Sequence, residues 1–199
     1  QPHLRGALRI LHVSSTSTVS GANRYAFDLA AGQKDLGHEP IVAMPADPGT
    51  AFDFARPDIA KIVLGKPRAF SFLSALYRTK PDIVHCHDGT AARWLRIAPF
   101  RPPTLVTLHI RYKPPTMSHF DGVHMLADWQ REALSSFKGK IAKVNNWTPN
   151  IAPTTPATLR PIFAAAYTPC SARSGWPAPR FWPAMVAAAP MRPTEVHVI

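Results

Sequence analysis

The sequence predicts an α/β fold, a doubly wound and mostly parallel sheet with helices on both faces. Three observations carry this. Short β-like runs alternate with segments of helical period along the first 150 residues. The runs are nearly continuous in apolar residues, which is the pattern of strands covered on both sides. Breakers stand at the joints, among them Gly37 and Pro81.

Each element can be read in turn. Ala7–Ser15 (ALRILHVSS) is the first strand, ending in a loop of small residues, STSTVSGAN. From Ala22 the apolar positions take helical spacing: Ala22, Tyr25, Ala26, Leu29, Ala30 and Leu36. Gly37 stops that helix. EPIVAMP and AKIVLG follow as the second and third strands, and AFSFLSALYRTK is a helix halted before Pro81. DIVHCH is the fourth strand and GTAARWLRIA a short helix. PTLVTLHI, at the Pro102–Pro103 pair, is the fifth strand, and DGVHML the sixth. Asp128 is expected to cap a helix whose apolar positions are Trp129, Ala133, Leu134 and Phe137. GKIAKVNN closes the series. The whole is a Rossmann-like domain over residues 1–150.

Beyond Asn150 the composition changes. Residues 151–199 hold nine of the 22 prolines, no Lys, no Asp and a single acid, Glu195. Phe163, Tyr167, Trp176, Phe181 and Trp182 stand among the prolines without a shared period. An irregular Pro/Ala/Arg-rich tail is expected there, not a second domain. Ordinary disordered linkers carry fewer aromatics and more charge.

The totals set limits. Twenty-three Lys and Arg against 12 Asp and Glu give a formal charge of +11. Such a surplus suits nucleic acid, an anionic membrane surface or a phosphorylated ligand. Only Cys86 and Cys170 occur, which argues against a disulfide framework and for a reducing compartment. No apolar run reaches the roughly 18–20 residues of a membrane span. The N-terminus has neither a signal-peptide pattern nor an initiator Met, so an earlier start and a cytoplasmic location are expected.

Ligands of an open parallel sheet bind at the carboxyl ends of its strands, near the point where strand order reverses. The loops that matter are therefore STSTVSGAN, HCHDGT, HIRYKPPTMSH and LADWQ. Gly21 stands at a helix N-terminus, where backbone N–H groups and the helix dipole favour an anion. An ordinary turn capped by Ser20 is the plainer account, because the G-x-G-x-x-G spacing of dinucleotide sites is absent. His85 and His87 share one side of a strand and could chelate zinc with Asp88 nearby. A hydrolytic zinc site needs a further ligand, and His109, His119 and His124 repeat no known spacing. The alternative is that His85 is hydrogen-bonded inside the sheet while His87 reaches the crevice. His109, at the end of the fifth strand, can contact a sugar hydroxyl or phosphate, with Arg111 or Lys113 neutralising charge.

Taken in order, RILHVSS, SGANRYAFDLAAGQKDLGHEPIVAMP, KPDIVHCHDGTAA, TLVTLHIRYK, DGVHMLADWQRE and VNNWTPNI resemble the N-terminal half of the family 4 glycosyltransferases. Those enzymes are built from two Rossmann domains. The resemblance spans about residues 8 to 152. It matches Ser20, Gly21 and Ala22 to the family's loop beside the donor diphosphate and the acceptor, and Pro81 to His87 to its H-x-H run. Thr107 to His109 matches a T-x-H run whose histidine lines the cleft, and Asn146 to Asn150 matches the turn toward the second domain. Asn23 and Arg24 stand where many members carry an acid, and the second domain, which holds most donor contacts, has no counterpart here.

The resemblance implies transfer of a sugar from a nucleotide-diphosphate donor to a hydroxyl acceptor with retention, in polysaccharide, lipopolysaccharide or glycolipid synthesis. It implies His109 as the catalytic contact, Gly21, Ala22, His87 and Arg111 as substrate-binding residues, and neither metal nor cofactor beyond the nucleotide sugar. A sugar or lipid-linked acceptor and an anionic inner membrane face are the implied partners. TAARWLRIAPFR supplies an interfacial patch, or else a helix that packs its apolar residues and extends its arginines. Two other classes stay open: a non-catalytic ligand-binding module, and a zinc hydrolase on the H-x-H strand. Nucleic-acid binding lacks any fold motif and is not expected. After about Leu159 the tail reads as an out-of-frame continuation, since GWPAP back-translates so that the next frame gives Val-Gly-Arg-Leu, similar to the strand opening the family's second domain. A natural Pro-rich ending is the alternative. On either reading the chain is expected to be inactive alone.

Overall fold

The computed structural model describes residues 6–46 and 51–144. The Pro-rich tail and the Asn146–Asn150 turn lie outside them.

Among the described residues, seven strands form one sheet, in the order β3-β2-β1-β4-β5-β6-β7. They are β1 (Arg9–Val13), β2 (Glu39–Met44), β3 (Ala60–Val63), β4 (Ile83–Cys86), β5 (Thr104–Leu108), β6 (Gly122–Met125) and β7 (Lys140–Lys143). Every pairing is parallel. The connecting helices are α1 (Gly21–Asp35), α2 (Arg68–Thr79), α3 (Gly89–Leu95) and the single turn α4 (Pro114–Met117). The doubly wound α/β class is as the sequence predicts. Because β1 pairs with both β2 and β4, the winding reverses between β1 and β4. In open parallel sheets of this kind the ligand crevice lies at such a gap, at the carboxyl edge.

The helix ends follow from local chemistry. Ser20 caps α1, its hydroxyl accepting the Asn23 N–H at 3.2 Å. Gly37, at φ +85°, supplies the left-handed residue that turns the chain into β2. Asp88 caps α3, accepting the N–H groups of Thr90 and Ala91, each at 2.8 Å.

In-register neighbours share a face of a sheet, so the pairings sort the strand residues into two layers. One layer is apolar. Leu11, Val13, Val84, Cys86, Val106 and Leu108 pack under Phe72 and Leu76 of α2 and Leu95 of α3. The other faces α1. Its outer part is apolar too, with Ala26, Phe27 and Ala30 against Val42 and Met44. Its centre holds His12 beside His85 and Thr107 beside His124.

One expected helix does not form. The segment after β6 makes two short 3₁₀ turns, Asp128–Gln130 and Glu132–Leu134. Asp128 caps neither; its carboxylate takes Lys143 Nζ at 2.6 Å. Trp129 is 60% exposed instead of buried, while Leu134 and Phe137 are buried as expected. The reason is Gln130, whose Oε1 accepts the N–H groups of Leu126 (2.7 Å) and Ala127 (3.2 Å). Its Nε2 donates to the Leu108 carbonyl at 2.6 Å. With a further bond from Nε2 to the Ile110 carbonyl at 3.3 Å, this buried amide satisfies four backbone groups and fixes the loop against the end of β5. Leu36, the last apolar position assigned to α1, is also exposed, at 47%.

Candidate functional site

Parallel strands all end at one edge, so the loops after β1, β4 and β5 meet there. The loop after β1 is held from two sides. The Asp88 carboxylate, beyond β4, accepts the Ser14 hydroxyl (3.1 Å) and the Ser15 N–H (2.5 Å) as well as the two α3 amides. Asn23, buried in the first turn of α1, donates to the carbonyls of Thr16 (3.1 Å) and Thr18 (2.8 Å). Asn23 is therefore a brace of this loop, and Arg24 pairs with Asp28 at 2.9 Å.

These braces set the N-terminus of α1 over the β1–β4 gap. Ser20 takes the N–H groups of Asn23 and Arg24, which leaves those of Gly21 and Ala22 at the open end. A Cβ on Gly21 would meet nothing within 4 Å, and its φ is ordinary. Neither backbone conformation nor packing demands glycine here; what glycine provides is clear space in front of the amides.

Beneath that end lies a layer of imidazoles. The ring of Tyr25, one turn along α1, stands edge-on to His109 with centres 5.2 Å apart, and 6.1 Å from His87. His87 and His109 are 5.8 Å apart. Deeper in, His12 Nδ1 faces His87 Nε2 at 3.1 Å, and His12 Nε2 faces Gln33 Oε1 at 2.7 Å. His85 Nε2 is bonded to Thr107 Oγ1 at 2.7 Å. An amide oxygen only accepts, so Gln33 takes the His12 Nε2–H and leaves Nδ1 as a bare lone pair.

Burial governs the charge of these rings. It pushes His12 down to about 4, against the opposing pull of the Gln33 hydrogen bond. His124 falls to about 3 and His109 to about 4, in both cases mainly through loss of water; the Asp88 charge pulls His109 the other way. His85 and His87 lie well below the usual histidine range for the same cause, reinforced by their neighbours. At neutral pH the layer is a set of uncharged donors and acceptors.

The residues singled out in the sequence thus fall at one edge. The structure brings His87, His109 and the first turn of α1, with Gly21 and Ala22, to the same rim. His87 is almost fully buried, at 2%, and so lies under the crevice more than in it. Arg111 is exposed on the loop after β5. Asp88 is no metal ligand, since its two oxygens already accept four hydrogen bonds. Among the described residues, His12, His85 and His87 are a group whose ligand atoms all come within 4.8 Å of one another. His12, Tyr25, Gln33 and Thr107 are members of the site that the sequence reading passes over. The signal for His12 was present: a histidine amid an apolar strand, two places from Ile10 on the same face.

The family described as Glycosyltransferase Family 4 matches residues 19–148. Among solved structures, HepE of Anabaena, in complex with UDP and glucose, aligns at 17% identity and a TM-score of 0.58, over 71% of this chain and 45% of that one. A glycosyltransferase of Rickettsia africae aligns at 17% identity and 0.52, over 72% and 44%. The sucrose-phosphate synthase of Thermosynechococcus elongatus aligns at 14% identity and 0.54, over 71% and 48%. The chain spans less than half the length of each of these structures. No curated protein matches it in sequence.

Proposed function

The chain belongs to glycosyltransferase family 4, and on that footing we propose that it is the acceptor-side half of an enzyme moving a sugar from a nucleotide diphosphate to a hydroxyl group, with retention. The observation that carries this reading is the convergence of the open α1 N-terminus, His87 and His109 at the switch point between β1 and β4. In such a transfer the bond from the anomeric carbon to the diphosphate breaks and a bond to the acceptor oxygen forms. The acceptor proton passes to the departing phosphate. Charge grows on the diphosphate, so fixed donors aimed at it lower the barrier.

Here the Gly21 and Ala22 amides, with the dipole of a 15-residue helix behind them, supply those donors. His109, neutral and part-exposed, offers the open side of its ring to a sugar hydroxyl or phosphate oxygen. Its catalytic role is positioning of the reacting sugar by direct contact. Arg111 adds a cation at the mouth of the crevice. The transfer chemistry as drawn needs no metal and no cofactor beyond the nucleotide sugar.

A lipid-linked or polysaccharide acceptor at the cytoplasmic face of a membrane fits the charge of +11. At the end of α3, Trp94 and Leu95 pack inward, while Ile97 and Phe100, 60% and 52% exposed, stand out beside Arg93, Arg96 and Arg101. Apolar tips ringed by arginines suit an anionic bilayer surface. No helix among the described residues is long and apolar enough to cross one.

Nuclear magnetic resonance of the isolated chain with UDP-glucose and other nucleotide sugars tests the reading. It predicts weak binding, near ~1 mM, with the Gly21 and Ala22 amides shifting most, and loss of those shifts in Gly21→Val. Absence of any shift at that turn with every nucleotide sugar would contradict it.

A further inference from the structure

The imidazole layer does more than line a sugar cleft. We propose that His12, His85 and His87 form a three-histidine site for a late first-row transition cation, Zn2+ or Cu+. The site ties β1 to β4 directly under the crevice and shares one residue, His87, with the rim described above.

The arrangement starts from strand geometry. His85 and His87 project from the same side of β4, two residues apart. The third ligand comes from the adjacent strand, where His12 lies in register with His85. This is the ligand that the H-x-H motif alone lacks. It stands 73 residues away in sequence and beside the motif in space.

The dimensions fit one ion. Metal–nitrogen bonds of about 2.0–2.1 Å in tetrahedral array put ligand atoms about 3.3 Å apart and imidazole centres about 5 Å apart. His12 Nδ1 and His87 Nε2 are 3.1 Å apart. Ring centres are separated by 5.1 Å for His12–His85, 5.3 Å for His12–His87 and 4.4 Å for His85–His87.

The surroundings are those of a ligating set. Metal-bound histidines hand their second ring N–H to a neighbouring acceptor, which fixes the tautomer and aims the lone pair. Gln33 Oε1 does this for His12, and Thr107 Oγ1 holds Nε2 of His85. Where Thr107 Oγ1 accepts the Nε2–H, His85 Nδ1 is the bare atom; it has no hydrogen-bond partner among the described residues, nor has His87 Nδ1. Orphaned buried nitrogens are costly in an apolar interior, and a cation coordinated by His85 Nδ1 removes that cost. Neutral imidazoles in a dry site select zinc or copper over magnesium or calcium, which take oxygen ligands.

The test uses the untagged chain, stripped with chelator. It is dialysed against Zn2+ in one arm and against Cu+ with reductant in the other, and its metal content is measured by mass spectrometry. One equivalent of at least one ion is expected, with a raised unfolding midpoint. Removing a ligand should cost more than the 10–100-fold typical of a supporting contact. Uptake should therefore fall more than about 100-fold in His12→Gln and in His87→Gln. His124→Gln, altered in the same layer outside the ligand set, should keep full uptake. Should a ligand variant fail to fold, X-ray absorption of the loaded wild type decides, with imidazole nitrogens at about 2.0 Å expected. No uptake of either ion, unchanged uptake in the ligand variants, or a shell of oxygen donors overturns the site. Metal uptake is read without nucleotide sugar, so failure of the site and failure of the transfer reading are distinguishable.

Discussion

The two faces of the sheet are built from the same strands and do opposite things. Along β1, Leu11 and Val13 enter a continuous apolar core under α2 and α3, whereas His12, between them, enters a polar layer under α1. β4 repeats the division, with Val84 and Cys86 on one side and His85 and His87 on the other. The first face is bound mainly by burial of apolar surface, with the part-buried Thr104–Asp121 hydrogen bond at its edge. The second gives up part of that stabilisation to keep uncharged, hydrogen-bonding rings beside the crevice. The lesson is a division of labour: one side of the sheet holds the fold, so that the other can carry chemistry.

The largest effect should come from breaking the apolar side. Phe72 is fully buried, its ring 6.1 Å from that of Trp94. Phe72→Ala should cost about 3–5 kcal/mol, read by chemical denaturation. A cost under ~1 kcal/mol would mean that this face is not where stability resides.

The histidine side should show itself through acid. His12 is held at about 4 in the folded protein against an ordinary 6.5. Unfolded chains therefore bind protons first as pH falls. The contribution is complete above about 6.5 and is lost progressively as pH falls toward about 4. For His12 alone it amounts to about 3 kcal/mol, and His124 adds to it in the same sense. Denaturant midpoints of metal-free protein should drop steeply over that window, and a flat profile would show that the rings are already charged or exposed.

A smaller effect, of opposite sign, sharpens the contrast. Both ring nitrogens of His124 are buried without a hydrogen-bond partner among the described residues. His124→Leu should stabilise the chain by about 1 kcal/mol or more. Destabilisation instead would show that the ring has a partner that holds it.

Much of this was legible in the sequence, for identifiable reasons. The strands were, because the central ones are buried and written as apolar runs, the edge strands β3 and β7 keep a short apolar run though less covered, and Gly37 and Pro81 punctuate the series. That His87, His109 and Gly21 lie toward one edge of the sheet was legible as well, since they follow strands whose ends must coincide. Gln130 was not, because the four backbone groups it satisfies come from its own loop and from the end of β5, and an amide amid a helix-like pattern carries no mark of that. The partnership of His12 with His85 was hidden for a related reason. It depends on β1 lying next to β4, a neighbourhood set by strand order and not by local spacing.

The central claim is that the rim of the histidine face is where sugar transfer takes place. The most direct measurement is the transfer rate of the full-length enzyme carrying this domain, compared with the same enzyme bearing His109→Ala. The account predicts a fall of about 100-fold or more with the unfolding midpoint unchanged. Equal rates in the two proteins would contradict it.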